Sequence, residues 1–213
     1  MKKIICFLLL GLSFLSGFSQ TEWRIIGGID VTPVTLSKKT SYGDALNFNR
    51  ITNNRTCSNL GYVGIDLSFG GEMIRFETSV GAGYYKKSFN QHIEIFGGGN
   101  LENEGTIYYG DSLAILPMLR ASMNFSIGKK NALKLIAFNQ GLYTINAGIA
   151  LERKFGEKFS LSANLYSPIS AIEPLYVLQP KIGGGIQLSY VFSRKEKVRN
   201  VKAPKSNSSP TVL

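Results

Sequence analysis

The sequence has few of the residues that form disulfides, metal sites or catalytic pairs. Its 213 residues include two cysteines and one histidine. Cys6 lies in the apolar N-terminal run, too early for a lipoprotein cleavage site, so a lipid anchor on the mature chain is not expected. Cys57 is then the sole mature cysteine, which excludes an intrachain disulfide. Stability must therefore come from a sizeable core or from a membrane.

After its N-terminal run, the sequence also lacks a long apolar stretch. A basic start precedes the apolar run Ile4–Leu15. This run is shorter than the roughly 20 residues that a membrane-spanning helix needs. Small residues Gly17 and Ser19 precede a plausible cleavage point. These features predict a secretory signal peptide over residues 1–19, and hence export.

Acidic residues are outnumbered, but the basic excess is concentrated at the C terminus. The formal net charge is +10, and residues 193–213 carry Arg194, Lys195, Lys197, Arg199, Lys202 and Lys205 against Glu196. A polar segment with such a charge imbalance cannot bury an apolar face. It predicts a disordered basic tail on the periplasmic side. Nucleic-acid binding is not expected of an exported chain.

Between these two ends, period-2 alternation of apolar and polar residues predicts strands. The intervening polar stretches 34–60 and 86–112 are predicted as loops. Within the second loop, Ile93–Phe96 and Thr106–Tyr109 predict a short hairpin that cannot span a bilayer. The eight predicted strands are Trp23–Pro33, Gly61–Phe69, Met73–Tyr85, Leu113–Ile127, Ala132–Asn139, Thr144–Phe155, Phe159–Ile169 and Lys181–Phe192.

The connections alternate between short and longer ones, which is typical of an up-and-down meander with all short turns on one side. The pattern predicts an all-β, eight-stranded antiparallel up-and-down transmembrane β-barrel over residues 20–192. Alternation alone also fits a soluble lipocalin-like barrel. The second face favours the membrane, because its small residues and near-balanced charges suit a narrow lumen better than a solvated surface.

The predicted lumen face carries enough charge to form a paired network. Val63, Ile65 and Leu67 are expected to face lipid, and Asp66 and Ser68 to face the lumen. Lys134 lies on the same polar face, although Ile136 and Phe138 share it. Buried charges must pair, so a network that plugs the lumen is predicted from Arg24, Asp30, Asp66, Arg75, Glu77, Arg120, Glu152 and Lys154.

The last predicted strand alternates apolar residues and ends on an aromatic, with Leu188, Tyr190 and Phe192 on one face. In this the chain resembles the small outer-membrane barrels of Gram-negative bacteria, of the OmpX and OmpA transmembrane-domain type, over residues 22–192. The resemblance implies location in the outer membrane, with its lipid and lipopolysaccharide as partners. It also implies that these three residues form the signal read by the barrel-assembly machinery. The tail after Phe192 departs from that pattern and puts OmpA-like wall anchoring in doubt.

Residues that could carry chemistry are sparse. His92 lacks the spacing to a serine expected of a lipid-modifying enzyme. Oxygen ligands suit calcium, yet the loop acids Glu94, Glu102, Glu104 and Asp111 do not have the spacing of a calcium loop. No catalytic, metal or cofactor site is predicted.

The predicted function is non-enzymatic, through surface loops, envelope integrity or association with an envelope complex or extracellular ligand. The alternatives are a lipid-modifying enzyme and a soluble ligand-binding barrel.

Overall fold

The computed structural model describes residues 20–31, 34–142, 144–172, 175–179 and 181–196. The predicted signal peptide lies outside the described residues, and so do residues 197–213 of the predicted tail. Within the described ranges, no helix has the length and apolar character needed to cross a bilayer.

The described residues form ten β-strands in one antiparallel sheet. The strands are β1 (Gln20–Val31), β2 (Val34–Gly43), β3 (Phe48–Gly70), β4 (Ile74–Gly97), β5 (Asn100–Ile127), β6 (Asn131–Gln140), β7 (Thr144–Phe155), β8 (Phe159–Ala171), β9 (Val177–Gln179) and β10 (Gly183–Glu196). The sequence predicts eight strands and does not anticipate β2 or β9. It also ends the last strand at Phe192, whereas β10 continues to Glu196.

Strand pairing curls the sheet into a barrel-like ring. β1 pairs with β10 on one side and with β3 on the other, so that Ile25 lies opposite both Tyr190 and Ile65. Pairing then follows chain order from β3 to β8, and β8 pairs with β10. β2 and β9 stand outside this circuit, since β2 pairs with β3 and β9 pairs with β2. The predicted all-β antiparallel architecture is confirmed at this level.

The ring is apolar outside and polar inside, as the alternation predicts. On β3, Val63 and Ile65 are 59% and 50% exposed, whereas Asp66 and Ser68 are each 1% exposed. Leu67 is half-buried on the outer face. A soluble barrel buries its apolar face, and contiguous exposed apolar surface on a monomer marks contact with a membrane or a partner. The polarity of this ring is therefore the reverse of that of a soluble barrel.

Three strands are much longer than the ring requires. β3, β4 and β5 contain 23, 24 and 28 residues, whereas a membrane-spanning strand needs about 9–11. Their outer halves continue as a sheet beyond the ring, joined by β2 and β9. We call residues 34–58, 86–112 and 177–179 the extension.

The prediction of loops at 34–60 and 86–112 is wrong, because most of these residues belong to strands of the extension. Both faces are polar or mixed over most of these residues, so period-2 alternation does not mark them as strands; Val34, Leu36 and Cys57, which are buried at the base of the extension, are the exceptions. A hairpin does form inside the second stretch, but Ile93 lies opposite Gly105 and Thr106 lies opposite His92, so the two segments predicted to pair are not each other's partners. Gly98 and Gly99 make its two-residue turn at φ 57° and 83°. Positive φ at both central positions is characteristic of a type I′ hairpin turn, which favours glycine.

Candidate functional site

The interior of the ring holds a network of buried charges centred on Arg24. Its guanidinium lies 2.5 Å from Glu77 Oε1 and 3.1 Å from Glu22 Oε2. Asp66 and Glu152 each approach it to 3.9 Å. All five side chains are at most 5% exposed. Removal of any one charge would leave its partners uncompensated in a region of low dielectric.

Lys134 supplies the second central cation. Its Nζ donates a hydrogen bond of 2.8 Å to Glu77 Oε2 and forms an ion pair with Glu152. Ser122 donates to the same Glu77 oxygen at 2.9 Å. Glu77 therefore bridges Arg24 and Lys134, so that its two carboxylate oxygens join β1 to β6 across the lumen.

Cations also close the network at the end of the ring that carries the short turns. Arg75 and Arg194 approach Glu22 Oε1 to 3.0 and 2.8 Å. Lys154 is half-buried and lines an open pocket of about 520 Å³ together with Arg75 and Arg194. Arg194 lies in the segment predicted as tail, and the structure instead places it on β10.

A second buried polar group lies nearer to the end of the ring that leads into the extension. Arg120 Nη1 is 3.4 Å from Asp30 Oδ2 and donates to the Tyr62 hydroxyl at 2.7 Å. Asn164 donates to the other Asp30 oxygen at 3.1 Å, and Tyr62 donates to Gln187 at 3.0 Å. Five strands thus contribute to one buried group, which ties opposite walls of the ring together.

Apolar side chains fill the space around these two polar groups. Ile136, Phe138, Ala150 and Tyr166 form one buried cluster, and Ile26, Tyr62 and Met118 form another. The Phe138 and Tyr166 rings meet edge to face with centroids 4.7 Å apart. Charge pairs and apolar side chains are thus buried together inside the ring, and the interior of an eight-stranded barrel is just wide enough for side chains.

The structure brings the predicted lumen residues into three places. Arg24, Asp66, Glu77 and Glu152 share the central network; Asp30 and Arg120 form the upper pair; Arg75 and Lys154 lie at the short-turn end. The predicted network omits Glu22, Lys134, Tyr62 and Arg194. Glu22 lies two residues before Arg24, and residues two apart in a strand share a face. This spacing could have identified Glu22 from the sequence.

The predicted assembly residues lie on the outer face near the end of β10. Leu188 and Phe192 are exposed, and the Tyr190 ring packs on Phe159 with centroids 4.9 Å apart. β10 pairs with β1 as far as Gln20 opposite Glu196. Phe192 is therefore an internal strand residue.

The outer face of the extension carries a ladder of amides and hydroxyls. Ser37 donates to Asn54 at 2.6 Å, and Asn54 donates to Asn90 at 2.9 Å. One row along, His92 Nδ1 lies 3.0 Å from Thr106 Oγ1, while its Nε2 lies 3.8 Å from Glu104. The only histidine of the chain is thus half-buried, and it lines an open groove of about 480 Å³ on this face together with Lys39 and Thr52.

The acids considered as calcium ligands are divided among separate cations. Arg50 lies 3.5 Å from Glu94, and Lys86 lies 3.0 Å from Asp111. Ser88 and Tyr108 also donate to Asp111, and these hydrogen bonds together with that of Lys86 lower the pKa of Asp111 to about 2. Over the part of the chain that the structure describes, no three His, Cys, Asp or Glu residues are grouped to hold a metal ion.

Comparison with known proteins adds a distant structural likeness. No family model matches the sequence, and no curated protein matches it. Among solved structures, the chain is similar to the translocator domain of autotransporter NalP from Neisseria meningitidis. The TM-score is 0.27 and the identity 12%, covering 89% of this chain and 97% of that chain. A likeness this distant carries no inference about activity, so function has to be inferred from the geometry of the chain itself.

Proposed function

We propose that this protein is a non-enzymatic outer-membrane barrel of Gram-negative type, with a plugged lumen and a rigid sheet that stands above the membrane as its binding platform. Eight strands span the membrane: β1, β6, β7, β8 and β10, together with the inner halves of β3, β4 and β5. The inside-out polarity of the ring supports this membrane location, because lipid is the solvent that suits its apolar outer face.

The length of β4 and β5 carries the proposal of a platform. At about 3.3 Å per residue, strands of this length extend roughly 80–90 Å. The hydrocarbon core is only about 30 Å thick. More than half of each strand therefore lies outside the hydrocarbon, and pairing continues along it. A long paired sheet is stiffer than the loops that usually connect barrel strands.

The connections supply the orientation. At one end β3, β4 and β5 run well past the ring before they turn, whereas at the other end the three-residue turns between β3 and β4, β5 and β6, and β7 and β8 lie at the rim of the ring. Gln20, which pairs with both Gly70 and Glu196, lies at the same end of the ring. In outer-membrane barrels the short turns are periplasmic. The extension lies at the opposite end and would face the cell exterior.

The proposed partners follow from these surfaces. Outer-membrane lipid and lipopolysaccharide would surround the apolar belt, and the barrel-assembly machinery would read Leu188, Tyr190 and Phe192. An extracellular ligand or envelope complex would be bound by the extension. The buried ion pairs inside the ring support a role other than conduction.

Orientation can be tested by labelling intact cells with a membrane-impermeant maleimide. Single cysteines replace Gly105 in the extension or Lys129 in a short turn, on a Cys57→Ser background. We expect Gly105→Cys to be labelled in intact cells and Lys129→Cys only after the outer membrane is permeabilised. Labelling of Lys129→Cys alone in intact cells would invert the topology, and failure of both variants to fractionate with the outer membrane would refute the location.

A further inference from the structure

Among the residues that the structure describes, the extension has two free edges. On one side, Asn100–Tyr109 of β5 pair with β4 alone, since β6 reaches β5 over Arg120–Ile127. All ten of these β5 residues are exposed. On the other side, β9 pairs with β2 over Thr35–Ser37, and within the described ranges Lys38–Gly43 pair with β3 alone.

Each edge presents a row of backbone N–H and C=O groups that can pair with another strand. Where β6 ends, the side chain of Asn139 continues the ladder for one more step. Its Oδ1 accepts from Leu119 N at 2.6 Å, and its Nδ2 donates to Pro117 O at 2.8 Å. This cap satisfies the edge at the level of the ring and leaves the edge of the extension open.

The two edges share rows of the sheet. One row of the sheet runs from Lys39 through Thr52 and His92 to Thr106. Three antiparallel pairings separate β2 from β5, so the two edge strands run in opposite directions. If two molecules share one orientation in a membrane, β2 of one is therefore already antiparallel to β5 of the other.

The edges carry opposite charge. From Asn100 to Ser112, β5 contains Glu102, Glu104 and Asp111 and no lysine or arginine. From Val34 to Gly43, β2 contains Lys38 and Lys39 and no acid. Pairing β5 with a second β5 would bring carboxylates together, and pairing two β2 edges would bring lysines together. Only the unlike pairing is favourable in charge.

Lys39 and Glu104 are the two oppositely charged residues that this pairing would bring close together. Glu104 shares a row with Ser41, Arg50 and Glu94, next to the row of Lys39, and both rows point to the outer face. In an extended sheet, Lys39 of one molecule would lie diagonally across from Glu104 of its neighbour. Opposite charges in such cross-strand positions stabilise pairing, and like charges destabilise it.

We propose that two copies of this chain associate edge to edge above the membrane, with β2 of one pairing antiparallel to β5 of the other. The inference rests on the proposed topology, since it requires both sheets to stand upright on the same side. The contact is heterologous and leaves one free edge at each end, so it can be repeated into a row or a closed ring.

Cysteine crosslinking tests the pairing in intact cells. Thr40 and Gly105 occupy one row on the inner face, and a Cβ built on Gly105 meets nothing within 4 Å. Within one chain they are three strand spacings apart, about 14 Å, too far for a disulfide, which needs Cα atoms within about 7 Å. Thr40→Cys and Gly105→Cys are placed in separate chains on the Cys57→Ser background and co-expressed.

Oxidation should give a crosslinked dimer only when both variants are present. A dimer from Gly105→Cys alone would show that β5 pairs with a second β5, and no dimer in the mixture would show that the edges do not meet; either result overturns the proposal. Maleimide labelling of the same Gly105→Cys chains separates the two hypotheses. Chains that are labelled but not crosslinked refute edge pairing and leave the proposed topology intact.

Charge reversal provides a matched test of selectivity. Lys39→Glu or Glu104→Lys alone, introduced into both co-expressed chains, should reduce the crosslinked yield about fivefold, because each replaces an attraction by a repulsion. The combined variant, Lys39→Glu with Glu104→Lys, exchanges the two signs and should restore the parent yield. If the combined variant folds by heat-modifiable migration and still fails to crosslink, the charges do not select the pairing as proposed.

Discussion

Neutralising Asp30 should destabilise the barrel through the partner that it leaves behind. Asp30 is fully buried and accepts from Arg120 and Asn164, while Arg120 is 6% exposed and has no other carboxylate within 4.0 Å among the described residues. Asn keeps the shape of the side chain and removes its charge. Breaking a buried ion pair by removing one partner costs about 3–5 kcal/mol, so we expect Asp30→Asn to lower the free energy of unfolding by this amount.

A double-mutant cycle isolates the pair. Arg120→Met should cost a similar amount, because it leaves Asp30 unpaired and removes the hydrogen bond to Tyr62. Once one charge has been lost, loss of the other should cost less, so the double variant should be less destabilised than the sum of the singles by about 1–3 kcal/mol. The exposed turn residue Glu157 provides a control, since Glu157→Gln should change stability by less than about 0.5 kcal/mol.

The assay is urea unfolding of the barrel refolded into lipid vesicles, followed by the fluorescence of Trp23. This is the only tryptophan of the chain, and it lies on the outer face at 41% exposure. Its emission should therefore report the transfer from lipid to water. If Asp30→Asn costs less than about 1 kcal/mol, or if the two single effects add, Asp30 and Arg120 are not the coupled buried pair described above.

Three further predictions test other surfaces. Ile65→Arg places a charge on the lipid face and should cost about 2–4 kcal/mol of unfolding free energy in bilayers; equal stability would show that this face does not meet lipid. In planar bilayers the unmodified protein should show no stable, large conductance, because charge pairs and apolar side chains are buried inside the ring; such a conductance would refute the plug. Deletion of residues 197–213 should preserve membrane insertion, measured by heat-modifiable migration, whereas Tyr190→Ser with Phe192→Ser should impair it by removing the terminal aromatic pattern. The reverse result would assign the assembly signal to the tail.

The alternation of apolar and polar residues within single strands predicts a large part of the fold without tertiary information. The pattern from Val63 to Ser68 assigns each residue to one of two faces, because successive side chains of a strand point in opposite directions. It also placed Lys134 on the inner face beside Ile136 and Phe138, although the mixture obscured the strand. The structure shows why such a mixture forms: the lumen buries charge pairs and apolar clusters side by side.

The network partners could be predicted only in part. Alternation along each strand places Arg24, Glu77 and Glu152 on the inner face. It does not give their positions along the axis of the ring or the side chains next to them. Those depend on strand register, which depends on pairing between residues that are distant in the chain. Asp30 and Arg120, 90 residues apart, are brought together by this closure.

The sequence does not predict the strands of the extension, because of the surroundings of their side chains. None of residues 86–112 is buried, so neither face forms a core and nothing selects apolar residues at every second position. These residues pair because β4 and β5 are already aligned by the ring beneath them and joined by the turn at Gly98 and Gly99. Alternation determined the parts of the chain that meet two different environments, and only the tertiary structure decided the parts whose two faces both meet water.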